Sequence, residues 1–219
     1  MRFHIITIFP EMFDSYLNES ILGRAIKEKK ISVKFYNPRD YIKDKKKNGY
    51  RPVDDKPYGG GPGMVMRVEP LLKAVAKVLS LSKGKSRKIL IINFIPSAEK
   101  FTTDFAKKVS KKYTDVILIC GRYEGIDARV DKILKTKKLS IGDYVLTGGE
   151  IPAMILIDCV SRQIEGVLGN FDSREEERVS SSEVYTRPEI LKYGKKNYRV
   201  PKVLLSGNHA LIEKWKLKK

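Results

Sequence analysis

Cysteine and histidine are scarce in this chain, and their scarcity excludes much. Of 219 residues only Cys120 and Cys159 are cysteines, and each stands alone inside an apolar stretch. Two isolated thiols build neither a disulfide framework nor a zinc site, and they suggest the reducing cytoplasm. His4 and His209 have no cysteine or histidine at ligand spacing, so no metal site is expected. Long apolar runs are also missing. The longest, such as Ile89–Ile92 and Ala153–Ile157, fall far short of the ~20 residues that span a bilayer, so no membrane segment is expected. Met1–Phe9 lacks both a long apolar core and a small-residue cleavage site, so no signal peptide is expected either. Neither G-x-G-x-x-G nor G-x-x-x-x-G-K-[ST] occurs, which disfavours a Rossmann dinucleotide site or a P-loop. There is no internal repeat.

Positive charge is what the chain has in excess. Lysine and arginine number 44 against 26 acids, a formal charge of +18. Such an excess points to a polyanionic partner, with phosphates supplying affinity and salt dependence. The clusters at Lys43–Lys47 and Lys214–Lys219 carry more weight than the total, because lysine is used heavily everywhere. Either cluster read alone is equally a solvated face.

The apolar pattern alternates between strand and helix. Phe3–Phe9 reads as a strand closed by Pro10, and Leu17, Ile21, Leu22, Ala25 and Ile26 have helical spacing. Ile31, Val33 and Phe35 alternate with polar neighbours as in a half-buried strand. Lys43 to Pro57 is a basic loop running into Tyr58-Gly59-Gly60-Gly61-Pro62-Gly63, which cannot be regular structure. Glu69-Pro70 opens a helix, Ile89–Ile95 is a strand, and Phe101, Phe105 and Val109 mark an amphipathic helix. Val116–Cys120 is a strand, Ala128–Leu134 a helix, and Pro152 begins another through about Val160. The sum is an α/β fold, its sheet mostly parallel with helices on both faces. Three parts are expected: a main domain over 1–168, a mobile polar linker over 169–184, and a small basic helical domain over 185–219, with Asn208 capping its last helix.

Two segments stand out. Val116–Cys120 runs into Gly121-Arg122-Tyr123-Glu124-Gly125, and Ile141–Leu146 runs into Thr147-Gly148-Gly149-Glu150. Apolar runs stopped by glycine read as buried strands opening into tight loops, whose bare backbone can meet a ligand. In open α/β sheets small ligands bind at those strand ends. A pair of ordinary glycine turns is the plain alternative.

With these segments in place, the chain resembles the bacterial tRNA (guanine-N1)-methyltransferases of the TrmD family, in the knotted SPOUT superfamily. The match runs nearly end to end. It includes Phe9–Phe13, Gly23-Arg24-Ala25, Pro38-Arg39-Asp40, Val53–Met64, Cys120–Asp127 and Ser140–Ala153. It continues through Ile157-Asp158, Ser161-Arg162, Gly166–Asn170, Tyr185–Pro188 and Leu204–Ala210.

The resemblance implies a deep C-terminal trefoil knot in the main domain. It implies S-adenosylmethionine as methyl donor, and a homodimer whose active sites are shared between subunits. The substrate would be the guanosine just 3′ of the anticodon in tRNA. By the same likeness Arg162 would stabilise charge developing on the guanine, and Glu177 would be the base that removes the N1 proton. The donor would be held by Pro96, Gly121, Glu124, Ile141, Gly142, Asp143, Tyr144, Val145, Leu146, Gly148, Gly149 and Pro152. Lys214 and Lys216 would touch RNA phosphates. The family also suggests magnesium (Mg2+) for turnover.

Three departures from the pattern bear on function. The base is Glu in Glu175-Glu176-Glu177-Arg178 where the family usually has Asp, and the linker is short. Ile95-Pro96-Ser97-Ala98 lacks a glycine and a leading serine. The C-terminal part is shorter than in most members. Two competing functions follow: an RNA-binding relative weakened in catalysis, and a methyltransferase of the same fold acting on another RNA.

Overall fold

The computed structural model describes residues 1–43, 49–81, 87–169 and 183–217. By chain contacts it divides into two compact units, Met1–Gly169 and Asn170–Lys219. The first unit contains strands β1 (Arg2–Ile6), β2 (Ser32–Tyr36), β3 (Asp54–Asp55), β4 (Val65–Met66), β5 (Ile89–Phe94), β6 (Asp115–Ile119) and β7 (Lys137–Leu139). Its helices are α1 (Asp14–Leu17), α2 (Ser20–Lys27), α3 (Val68–Leu81), α4 (Thr103–Lys112), α5 (Ala128–Leu134) and α6 (Glu150–Ser161). Short 3-10 turns lie at Pro10–Phe13 and Pro38–Tyr41.

Five strands form one sheet in the order β2-β1-β6-β5-β7, and every pairing in it is parallel. The register sets Arg2 beside Asp115 and Ile6 beside Ile119, with Ile89 beside Asp115 on the other side. Alternate side chains leave opposite faces of a strand, so each strand feeds two cores. Phe3, Ile5, Val116, Leu118 and Ile92 pack under α1, α2, α4 and α6 through Leu17, Leu22, Val109 and Leu156. Ile6, Ile117 and Ile119 pack under α3 and α5 through Leu71, Val75, Val78 and Val130. β6 is buried at every position, as a central strand covered on both faces must be.

The second unit holds a hairpin of β8 (Ile190–Tyr193) and β9 (Lys196–Arg199), then α7 (Lys202–Leu205) and α8 (His209–Lys216). The expected all-helical character is therefore corrected: Ile190, Leu191, Tyr193 and Tyr198 suit a pleated ribbon, and Gly194 turns it at a φ of +60°. Asn208 does cap α8, its Oδ1 accepting from the Leu211 N–H at 3.2 Å. The Tyr185 and Trp215 rings lie 6.1 Å apart, whereas Leu211 is exposed.

Two further expectations change. Phe101 precedes α4 rather than opening it, because Thr102 caps the helix through the Phe105 N–H at 3.2 Å. The second glycine segment is not a strand. The strand there is Lys137–Leu139, and 141–149 is loop, since Gly142-Asp143 breaks the run and its apolar side chains do not enter the core. Among the described residues no helix is long and apolar enough to cross a membrane.

Candidate functional site

The C-terminal ends of β5, β6 and β7 open onto a cavity of about 400 Å³, within the range of small-ligand pockets. Phe94–Pro96 line it after β5, Gly121–Ile126 after β6, and Ser140–Gly142 with Tyr144–Gly149 after β7; Pro152 closes it from α6.

Each loop is fixed from behind. The Cys120 N–H donates to the Ile6 carbonyl at 2.9 Å, and the chain then turns sharply, with Tyr123 at φ +60° and Gly125 at φ +117°. β4 pins this turn. Glu124 N–H donates to Met64 O, Met66 N–H to Gly125 O and Asp127 N–H to Met66 O, each at 3.0 Å. The later loop is braced by Ser140, whose hydroxyl donates to the Gly142 carbonyl at 2.9 Å and accepts from the Gly142 N–H at 3.2 Å. The two loops then meet. Gly149 N–H donates to Gly121 O at 2.9 Å, and a Cβ on Gly149 would stand 2.7 Å from Cys120 Cα and 3.0 Å from Gly121 N. Backbone lies on backbone there, so only glycine fits.

A buried charged pair backs this junction. Glu150 is 1% exposed; Thr7 Oγ1 donates to its Oε1 at 2.8 Å, and Arg122 Nε lies 2.9 Å from its Oε2. Burial pushes the Cys120 thiol well above its usual range, and the Glu150 charge nearby pushes it further, so Cys120 is an inert packing residue. Other charges of the lining are also committed. Asp131 accepts from Asn93 Nδ2 at 3.0 Å and Thr136 Oγ1 at 2.6 Å, with Lys138 Nζ at 3.3 Å. Glu124 differs: it packs over Gly63, and among the described residues its carboxylate holds no ion pair. The cavity therefore combines apolar Pro96, Ile141, Val145, Leu146 and Pro152 with open loop backbone and, beside the engaged Asp131, the carboxylate of Glu124. Such a lining suits a ligand with an aromatic heterocycle and a cationic centre.

All but one of the residues expected to hold the donor line this cavity. The exception is Asp143, which pairs with Lys100 Nζ at 2.5 Å on the exposed side. Sequence reasoning did not single out Arg122, Tyr123 or Thr147, which also line it; the clue available was their place between the two glycine pairs. Arg162 is not in the lining. It caps the C-terminal end of α6, its N–H donating to Asp158 O at 3.0 Å, whereas Pro152 meets the cavity at the other end. Glu177, its neighbours Glu175 and Glu176, and most of the expected linker lie outside the described residues. Lys214 and Lys216 are in the last turn of α8, in the second unit. Among the described residues no group of three His, Cys, Asp or Glu could hold a metal.

The family model described as tRNA (Guanine-1)-methyltransferase TrmD matches residues 1–219. Curated proteins similar to the chain include one from Dictyoglomus turgidum, 47% identical over 100% of this chain and 84% of its own length. Another, from Ruminiclostridium cellulolyticum, is 46% identical over 99% of this chain and 90% of its own. A third, from Buchnera aphidicola, is 44% identical over 99% and 88%. All three are named tRNA (guanine-N(1)-)-methyltransferase.

Proposed function

The chain belongs to the tRNA (guanine-1)-methyltransferase TrmD family, and from this membership and the cavity we infer that it methylates N1 of a guanosine in tRNA, with S-adenosylmethionine as donor. The finer reading is that the guanosine lies just 3′ of the anticodon, that the loops of the cavity belong to a trefoil knot, and that the enzyme is a cytoplasmic homodimer. The observation carrying the donor reading is the junction of Gly121 and Gly149, which leaves loop backbone facing a mostly apolar cavity at the strand ends.

When bound, S-adenosylmethionine supplies a methyl group on a sulfonium, already an excellent leaving group. The protein's task is then the guanine. Its N1 carries a proton at neutral pH and becomes nucleophilic only when a base removes it. Glu177 is that base in this reading, and the Arg162 guanidinium meets the charge gathering towards O6. Glu124 is suited to face the cationic end of the donor, and Ile141, Leu146 and Pro152 keep water from it.

The position of Arg162 supports a shared site. α6 spans Glu150–Ser161, about 18 Å at 1.5 Å per residue, so Arg162 and the cavity lie at opposite ends of one helix. The same helix leaves Ile151, Met154, Ile155 and Cys159 incompletely covered at helical spacing, beside exposed Phe9 and Met12. A second copy seated there would cover the stripe and bring its own Arg162 across.

The direct test incubates the purified protein with S-adenosylmethionine and tRNA and analyses the nucleosides by mass spectrometry. 1-Methylguanosine is expected; donor binding without any methylated nucleoside would reject the activity. Glu177→Gln should slow single-turnover transfer ~10²–10⁴-fold with donor affinity unchanged. With the donor kept well below saturation, a subunit carrying Arg162→Ala mixed with one carrying Gly149→Ala should regain activity, because one of the two composite sites is then intact. No recovery in verified heterodimers would contradict sharing.

A further inference from the structure

The Arg122–Glu150 pair is unusual for a ligand loop. Arg122 comes from the loop after β6 and Glu150 is the first residue of α6, yet the pair is nearly buried, with side chains 16% and 1% exposed. Arg122 also reaches two other segments, the later loop and the turn at Pro10–Phe13. Its Nη1 donates to Thr147 O at 3.3 Å, its Nη2 lies 3.0 Å from Met12 Sδ, and its guanidinium sits 4.7 Å from the centre of the Phe9 ring. A Cβ on Gly148 would fall 2.4 Å from Arg122 Nε, so the later loop is laid directly on this side chain. Arg122 and Gly148 further form an isolated antiparallel bridge. Burying an ion pair is costly, and pairs that persist are best attested where they fix a register.

We propose that Arg122, seated on Glu150, is a positioning residue for the methyl donor: it sets the spacing of the two glycine loops and thereby the width of the cavity between them. This rests on the reading of the cavity as the donor site. The geometry gives Arg122 a task that lysine cannot fill. A guanidinium is planar and carries several donors, so it meets Glu150 and the Thr147 carbonyl together while stacking on Phe9. An ammonium carries its three donors on one tetrahedral nitrogen, so it cannot span both partners and lie flat on the ring as well. The pair itself is close without being collinear: neither Arg122 Nε nor Glu150 Oε2 completes a directed hydrogen bond to another described residue.

The experiment compares wild type, Arg122→Lys and Arg122→Met by calorimetry with S-adenosylhomocysteine, and by steady-state kinetics varying donor and tRNA separately. Arg122→Met should bind the donor product ~10–100-fold more weakly and raise the donor KM to match, with the tRNA KM changed less than about twofold. Arg122→Lys should keep the melting temperature near that of wild type yet lose about half of the affinity effect on a logarithmic scale. If Arg122→Met strands the Glu150 charge and fails to fold, the double variant Arg122→Met with Glu150→Gln is read in its place, with the same loss expected. Wild-type donor affinity in a folded variant overturns the proposal. So does an equal rise in both KM values, which is what a general structural role gives. A wild-type protein that binds no donor overturns the reading of the cavity, and the proposal with it; that outcome is distinct, because it precedes any substitution.

Discussion

The two ends of the parallel sheet are built on opposite plans. At the N-terminal end the polar groups are spent on one another. Asp115, fully buried, accepts from Arg2 Nε and Nη2 at 2.7 Å each, from Thr114 Oγ1 at 2.7 Å and from His4 Nε2 at 3.0 Å. Tyr36 Oη lies 3.3 Å from His4 Nδ1, which completes the imidazole's partners. At the C-terminal end Arg122 with Glu150 and Asp131 with Lys138 are also paired, but they brace loops whose backbone lines a cavity. Parallel strands of one sheet thus end in a closed knot of charge at one edge and in an open cradle at the other. The lesson is that the strands themselves do not select the binding edge. The glycines do, because they let loop backbone approach loop backbone and leave space in front.

The comparison breaks first at Gly149. Gly149→Ala drives a methyl group into the Cys120 backbone, where no side chain can swing aside. The loops must part by several tenths of an ångström, at about 1–3 kcal/mol of overpacking. Donor binding is expected to fall by up to ~100-fold, the loss that a misplacement of about 1 Å brings. Calorimetry that finds wild-type affinity would remove the junction from the site.

The reciprocal change is Asp115→Asn. It leaves Arg2 and His4 facing a neutral amide in a buried place, and a loss of ~2–4 kcal/mol in unfolding free energy is expected, below the full value for a buried pair because Arg2 is partly exposed. Donor affinity in the folded protein should stay within about twofold of wild type at this distance. A denaturation curve and one titration check both halves; a large fall in donor affinity would mean that the two edges are coupled through β6.

Gly142→Val should act more mildly than Gly149→Ala. Its Cβ would meet the Tyr144 ring at 2.3 Å, but that ring is about half exposed and can swing. The cost then falls on the cavity wall, with donor affinity reduced ~10-fold and unfolding changed by less than about 1 kcal/mol. A larger loss than for Gly149→Ala would reverse the assignment of which glycine controls the loops.

How much of this was legible in the sequence depends on the distance between partners. β1, β5 and β6 stand out as apolar runs, and α6 announces itself through Pro152 and the apolar run that continues to Ile157. β7 does not, because Lys137-Lys138-Leu139 is a short edge strand, and lysine suits an edge that must not pair further. The cavity was legible as two glycine segments. Its back wall was not, because Arg122 with Glu150, or Thr7 with Glu150, come together only after the crossovers are made. The Asp115 cluster was invisible for the same reason: Arg2 and Asp115 are 113 positions apart and meet only through the register of β1 on β6.

The last prediction uses protons to separate the edges. Burial by itself would raise the Asp115 carboxyl, but hydrogen bonds from Arg2, His4 and Thr114 and the Arg2 charge outweigh it, holding the group far below the ordinary value of 3.8. Burial lowers His4 below its ordinary 6.5, and the Asp115 partner only partly opposes this. His4 therefore stays neutral to lower pH than a free imidazole does, and as a neutral ring it donates from Nε2 to Asp115. Both shifts have the same sign in the linkage. Below pH 6.5 the unfolded chain takes up a proton on the histidine that the folded chain refuses, and near and below pH 3.8 it does so on the carboxylate. Stability from this edge is thus fully present above pH 6.5 and is lost as pH falls, with a slope of up to ~1.4 kcal/mol per pH unit for each proton. Asp115→Asn should abolish the lower limb. It should keep or widen the upper one, because His4 then loses the partner that favoured its charge. Since the acid-induced repulsion of a chain at +18 is common to both proteins, the difference between their stability curves isolates the cluster. Parallel curves from pH 7 to pH 3 would show that Asp115 keeps no proton-linked stability at this edge.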